Sequence, residues 1–328
     1  MRAALIATLL VSPVPSLAAD ADESPLIAYA QELAESGSRS QLKVTNIVTA
    51  NLRAAEFEMS RHPPPPDGDC ARTLGAQRFA EQYERLAAIQ DELGDFEAAI
   101  AANKSALACA PRVASYQASI ASDHLSLGEV TAARTAVERG NAMDPEDVEV
   151  RNARARVDFI EERWADATAR FRLEALDRAR YGEYADYSRC FLWLAQRRAG
   201  VRNPELPPKT PEKKSPEDTD AGQDSSHWPL PILETLRGER SEAALVQVIR
   251  DDGTTEARRW LTEALFYVGE LKLAEGDVEA ARKHFASVVN LRVLNFVEYG
   301  MARAELARMR ERKPVTEAAT PGTGTSPR

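Results

Sequence analysis

Chemistry-bearing side chains are scarce in this 328-residue chain. It has three cysteines, four histidines and five methionines, and aromatics make up 6%. The cysteines and histidines are scattered without metal-ligand spacing, which argues against a zinc site. No Gly-x-Ser-x-Gly, His-Glu-x-x-His, phosphate loop or Gly-x-Gly-x-x-Gly occurs, so common hydrolase, metalloprotease and nucleotide-binding signatures are missing. His124 and His284 show no ordered nucleophile pairing. The sequence therefore predicts a non-enzymatic protein with no cofactor and no metal. A net charge of −9 and a pI near 5.2, with no basic patch interleaved with aromatics, exclude nucleic acid as a main partner. Past the N-terminus no apolar stretch reaches membrane-spanning length. Low glycine, with abundant Ala, Leu, Glu and Arg, suits an all-helical protein.

What is present is a repeat. Leu-Gly-Asp-Phe-Glu-Ala-Ala at 93–99 returns as Leu127-Gly128-Glu129-Val130-Thr131-Ala132-Ala133, 34 residues on. It returns again as Glu162-Arg163-Trp164-Ala165-Asp166-Ala167 after the same interval, and as Glu275-Gly276-Asp277-Val278-Glu279-Ala280-Ala281 near the C-terminus. Thirty-four residues is the length of one tetratricopeptide helix–turn–helix unit. The glycines place units at roughly 80–113, 114–147, 148–181 and 262–295. Ala87, Ala99, Ala121, Ala133, Ala155, Ala167, Gly269 and Ala281 fall where paired helices approach most closely, because a larger side chain would force the axes apart. Gly94, Gly128 and Gly276 suit a left-handed residue closing the first helix. Asp144-Pro145 reads as a helix cap followed by Pro at the first helical position. The third unit departs most from the pattern, with Glu162 in place of glycine and Arg151 and Arg154 where large or apolar residues are usual. The expected fold is all-α: a right-handed tetratricopeptide solenoid with N-terminal helices and a C-terminal capping helix.

Residues 1–18 read as a cleavable secretory signal. Arg2 is the positive region, residues 3–11 form an apolar core too short to span a bilayer, and Ser16-Leu17-Ala18 offers small residues for cleavage after Ala18 or Ala19. The alternative is an uncleaved anchor. No cysteine near that point could carry lipid. The expected address is the periplasm, as a soluble protein. In that oxidising setting Cys70, before the first helix of unit one, and Cys109, at the end of its second helix, could bridge and contribute about 2–4 kcal/mol. The alternative is two small apolar fillers. Cys190, inside Cys190-Phe191-Leu192-Trp193-Leu194, reads as a buried thiol.

The rest of the chain divides by composition. Residues 19–69 carry two amphipathic helices and the stiff connector at Pro63 to Pro66. These helices either cap the array or pair with a second copy. The array proper covers 70–200. Residues 201–227, with five prolines up to position 226 and few apolar residues, read as a mobile insertion. Residues 228–312 hold short helices, the fourth unit and a last helix from about Leu294, expected to cap the solenoid. Residues 313–328 read as a disordered tail.

From Trp228 to Leu306 one order of residues is more specific than the general repeat: Trp228, Leu236-x-Gly238, Glu263-Ala264-Leu265-Phe266-Tyr267-Val268-Gly269, Gly276-Asp277, Ala281, Phe285, Asn295-Phe296-Val297-Glu298 and Ala304-Glu305-Leu306. In these residues the chain resembles the NlpI-type periplasmic tetratricopeptide proteins. The resemblance implies an adaptor that dimerises, docks a tail-specific protease and holds peptidoglycan endopeptidases near it. The lipid-bearing cysteine of that family has no counterpart here, and the insertion interrupts the pattern. The alternative reading is a protein-binding module of another envelope process, such as outer-membrane assembly or polysaccharide export. In either case the inner groove is the expected contact surface. It would be lined by Glu81, Glu84, Asp91, Ser115, Ser122, Asn152, Arg156 and Phe159, with Ala88, Glu92, Ala118, Leu125 and Glu149 beside them. Its mixed, front-acidic character suits a basic or amphipathic peptide. Carboxylate runs such as Asp91-Glu92 and Glu161-Glu162 read as solvated helix faces.

Overall fold

The structure is a computed structural model and describes residues 24–36, 38–61, 70–207, 228–251 and 256–311. Residues 1–23, which hold the segment read as a signal, residue 37, residues 62–69 with the expected connector, 208–227 of the expected insertion, 252–255 and the tail from 312 lie outside the described residues. Two helices, α1 (Pro25–Ser36) and α2 (Ser38–Arg61), precede a single 3-10 turn at Cys70–Arg72. Four helical pairs match the four units. They are α3 (Ala76–Leu93) with α4 (Phe96–Cys109), α5 (Ser115–Leu127) with α6 (Val130–Met143), α7 (Val148–Ile160) with α8 (Trp164–Leu176), and, after an interval, α13 (Ala257–Glu275) with α14 (Val278–Leu291). Between them run α9 (Arg178–Tyr181), α10 (Tyr184–Arg198), α11 (Leu230–Leu236) and α12 (Glu242–Asp251), and α15 (Val297–Glu311) comes last. Each helix packs on its sequence neighbours, as a tetratricopeptide-type array requires. No strand occurs among the described residues.

The repeat residues act locally as their chemistry dictates. Gly94, Gly128 and Gly276 close the first helix of their units at φ 78°, 79° and 84°. The following Asp95 and Asp277 cap the second helix, their carboxylates accepting from Ala98 N–H at 3.2 Å and Ala280 N–H at 2.9 Å. The alanines at the helix crossings are buried. A Cβ on Gly269 would lie 2.7 Å from Cε1 of Phe285, so only glycine fits. One cap differs from expectation. Asp144 sits at the end of α6 and accepts from Glu146 N–H, while Asp147 caps α7 by accepting from Val150 N–H at 3.0 Å. The Asp144–Pro145 turn therefore precedes the helix rather than starting it.

An aromatic core crosses the interval between the third and fourth units. Phe171 stacks on Phe191 of α10 with ring centroids 4.8 Å apart, Phe191 meets Tyr267 at 5.0 Å, and Phe266 meets Phe285 at 5.9 Å. The helices on either side of the insertion thus share one core. The same core takes in Leu26, Ile27, Tyr29 and Ala30 of α1, which packs on α12, α13 and α14. The chain's first described helix therefore covers its last repeat, while α2 lies on α3.

The last helix does not stand as an end cap. After leaving α14 it crosses the inside of the array and packs on α5, with further contact to α7 and α13. The approach is close: a Cβ on Gly300 would lie 2.8 Å from Ser126 Oγ and 3.2 Å from Ser126 N. The physical reason is a buried ion network. Arg198 of α10 pairs with Glu270 of α13 and with Glu162 at 3.1 Å, and Arg308 of α15 pairs with both Glu162 and Glu305. Glu270 and Glu305 are fully buried. Glu162, the residue that breaks the glycine pattern, takes the left-handed backbone at φ 60° and brings its carboxylate to both arginines. Arg198 also lies over the Trp164 ring at 4.8 Å. Arg154, an arginine of the third unit that departs from the repeat pattern, donates from one terminal nitrogen to Asn141 Oδ1 at 2.7 Å, while its Nε is buried without a partner.

Cys70 and Cys109 are joined, Sγ to Sγ at 2.06 Å, and Cys190 is a free, buried thiol. A thiol titration of the denatured, unreduced protein should find one thiol, and three after reduction; three without reductant would show the bridge absent. Replacing Glu162 by Gly restores the repeat pattern and removes the carboxylate shared by Arg198 and Arg308. It should destabilise the fold by about 1–3 kcal/mol in chemical denaturation, against the gain expected from relaxing a left-handed glutamate.

Candidate functional site

The first helices of the units, with α10, α13 and the residues leading into α15, enclose the concave face. Two hollows there share Glu84, Ser119, Ser122, Arg156 and residues 295–297 in their walls. The larger, about 880 Å³, is bounded by α5, α7, α10 and α13. The smaller, about 290 Å³, lies between α3, α5 and the chain before α15. Of the groove residues expected from sequence, Glu84, Ser115, Ser122, Asn152 and Arg156 line the larger hollow, and Asp91 lines the smaller. Glu81 and Glu92 face a separate hollow between α2 and α3. Phe159 is not in the groove: it is fully buried against Trp164, Phe171 and Phe191, because the apolar face of α7 turns it toward the core.

Charge in the larger hollow is mostly negative. Glu84, Glu149, Glu183, Glu263 and Glu298 line it against Arg156 and Arg259. Glu84 accepts from the Tyr116 hydroxyl at 3.3 Å, and burial beside Glu84 pushes that phenol up to about 12. Arg156 donates to Asn152 Oδ1, and Asn152 in turn donates to the buried Glu174 at 3.2 Å, so both side chains sit in the floor rather than reaching out. Arg259 lies over the Phe296 ring at 5.4 Å.

A buried acid and phenol cluster underlies this floor, and sequence reasoning assigned it no role. Glu263 accepts from the Trp228 indole and from the Tyr187 hydroxyl at 3.2 Å. Glu298 accepts from the Tyr267 hydroxyl at 3.5 Å. Desolvation, then the Glu298 charge, holds Glu263 well above the usual carboxylate range; desolvation raises Glu298 to about 7. The signal was present in the sequence: Trp228, Glu263, Tyr267 and Glu298 are among the residues that exceed the repeat pattern.

The smaller hollow holds a second acid pair. Asp91 of α3, Asp123 of α5 and Asn103 of α4 together line this hollow, and the two carboxyls are near enough to act on each other. Desolvation is the main cause that raises Asp91 to about 7 and Asp123 to about 8, and each carboxyl also acts on the other. Asp91 is thus partly withdrawn from solvent, in the wall of the hollow, rather than on an open helix face. The pair together holds one proton near neutrality.

Four acids with folded-state values raised to about 7 or 8 — the partly buried Asp91 and the buried Asp123, Glu270 and Glu298 — make a joint expectation. A carboxyl whose value is raised by folding stabilises the fold when protonated. That stability is fully present below the unfolded carboxylate value near 4 and is lost as pH rises through the folded values. The midpoint of thermal unfolding should therefore fall from pH 6 to pH 8.5, and Asp123→Asn should flatten that slope. A midpoint that is constant or rises across this interval would contradict the assignment.

No protein-family model matches the chain. Among solved structures it is similar to a chain in "Structure of Naa15/Naa10 bound to HypK-THB", at 14% identity and a TM-score of 0.31, covering 87% of this chain and 34% of that one. The chain spans about a third of the length of that neighbour.

Proposed function

We propose that this chain is a protein-binding scaffold whose concave face holds an extended segment of another protein. The observation that carries this reading is the hollow of about 880 Å³ walled by α5, α7, α10 and α13 and rimmed by Glu84, Glu149 and Glu183. Helical arrays present such surfaces because successive units repeat the same face. Aromatic and acidic side chains both line it, which favours a partner segment that is basic or amphipathic.

The signal-like N-terminus and the NlpI-type residue order support a finer reading. The protein is exported to the periplasm and there recruits or regulates peptidoglycan hydrolases or a tail-specific protease, without catalysing a reaction itself. Homodimerisation belongs to the same reading. Exposed Ile47 and Phe57 on α2 give it an apolar stripe free to meet a second copy.

Ser119 is exposed and lines both hollows, so Ser119→Trp obstructs the groove from a position where the fold tolerates size. Tagged protein should retain a tail-specific protease or a peptidoglycan endopeptidase from envelope extracts, and S119W should lose at least about nine-tenths of that capture with unchanged helical circular dichroism. Capture that is unaffected by S119W would place binding elsewhere. Peptidoglycan or protein hydrolysis by the purified protein alone would overturn the scaffold reading.

A further inference from the structure

Among the described residues the buried acids Asp158, Glu270 and Glu305 are paired with arginines, and others lie near enough to an arginine to feel its charge. Asp158 has Arg134 and Arg170, each at 2.6 Å. Glu270 has Arg198, and Glu305 has Arg308. Glu174 and Glu298 feel Arg156, and Glu263 feels Arg259. Among the described residues no salt bridge reaches Asp91 or Asp123: burial, each other, Glu92 and Asn103 act on them, and Arg156 lines the same hollow without pairing with either. Asp123 is 4% exposed, lines the smaller hollow, and has an Oδ2 that no donor reaches. An uncompensated acid of this kind weakens the fold, and an amide would serve packing better.

The hollow at the pair has mixed walls: Ala87, Ala88, Leu125, Leu294 and Val297 are apolar, Ser119, Ser122, Asn295 and Arg156 are polar, and the aspartate pair with Glu84 supplies its acidic groups. The apolar residues suit the methylenes of lysine or arginine, and the acidic groups suit the charged head. At about 290 Å³ it has room for one such side chain and continues into the larger hollow. We infer that the Asp91–Asp123 hollow is the seat for one basic side chain, a lysine ammonium or an arginine guanidinium, of the segment held in the groove. This inference rests on the scaffold reading above and names the group that the groove selects.

In the protein alone a shared proton satisfies the pair; a bound cation takes its place, so binding releases that proton. The other charged groups lining the seat are Glu84 of α3 and Arg156 of α7, and the charge of Glu92, which faces the hollow between α2 and α3, also acts on Asp91. Basic-segment affinity should therefore weaken from pH 8.5 to pH 6.

The test uses four capped nonapeptides that differ only at the central residue: lysine, arginine, norleucine or glutamate. Titration calorimetry of the full mature chain at pH 8.5 should give the lysine and arginine peptides at least about tenfold tighter binding than norleucine, and glutamate the weakest. Asp123→Asn should abolish that preference, leave norleucine binding unchanged and raise the unfolding midpoint. Equal binding of all four, or a preference that survives D123N, overturns the seat and leaves the groove standing. Binding of none overturns the groove reading as well. Exposed Glu279→Gln removes the same charge far from the seat and should leave the preference intact; if it acts like D123N, the effect is net charge and the seat is refuted.

Discussion

A shared carboxylate at Glu162 holds the last helix inside the array, and the concave face depends on it. Without the pairs among Arg198, Arg308, Glu162, Glu270 and Glu305, α15 would have no polar reason to cross α5, α7 and α13. Arginine suits this task because its planar fork can serve two carboxylates at once in a site that water scarcely reaches. The network places residues 295–298 as one wall of the groove, with Phe296, Val297 and Glu298 facing the hollow formed by α5, α7, α10 and α13. The concave face of the array thereby gains a further wall.

The same network explains why the third unit looks degenerate. A glycine at 162 would suit the turn better, and the repeat pattern asks for it at that position. The chain keeps glutamate in a left-handed conformation because the side chain has work that glycine cannot do. Departures from a repeat are thus informative here. Glu162 fastens the fold, and Glu263, Tyr267 and Glu298 line the cleft.

The helical pairs were legible because the physics that sets them is local. A left-handed closing residue, an aspartate cap and small residues at the crossings repeat at a fixed interval, and each acts within its own unit. The path of α15 was not legible, since it depends on arginines and glutamates from four distant segments. The placement of α1 on the fourth unit was hidden for the same reason: Leu26 and Tyr29 predict an apolar face but not its partner. Within the groove, Ser115, Ser122, Asn152 and Arg156 followed from helix periodicity. Phe159 did not, because periodicity marks a face but not which neighbour covers it. Asp123 was missed because an isolated aspartate on a helix reads as solvated until the helix beside it is known.

In the proposed function the inner face, walled on one side by the start of α15, receives a partner segment while the outer helices do not. Hydrogen–deuterium exchange of the mature protein, with and without a bound basic segment, tests it most directly. Slowed exchange confined to α5, α7, α10 and the start of α15 is the expected result. Protection of α4, α6 and α8 instead, or faster exchange throughout α15 without protection of α5, would contradict it.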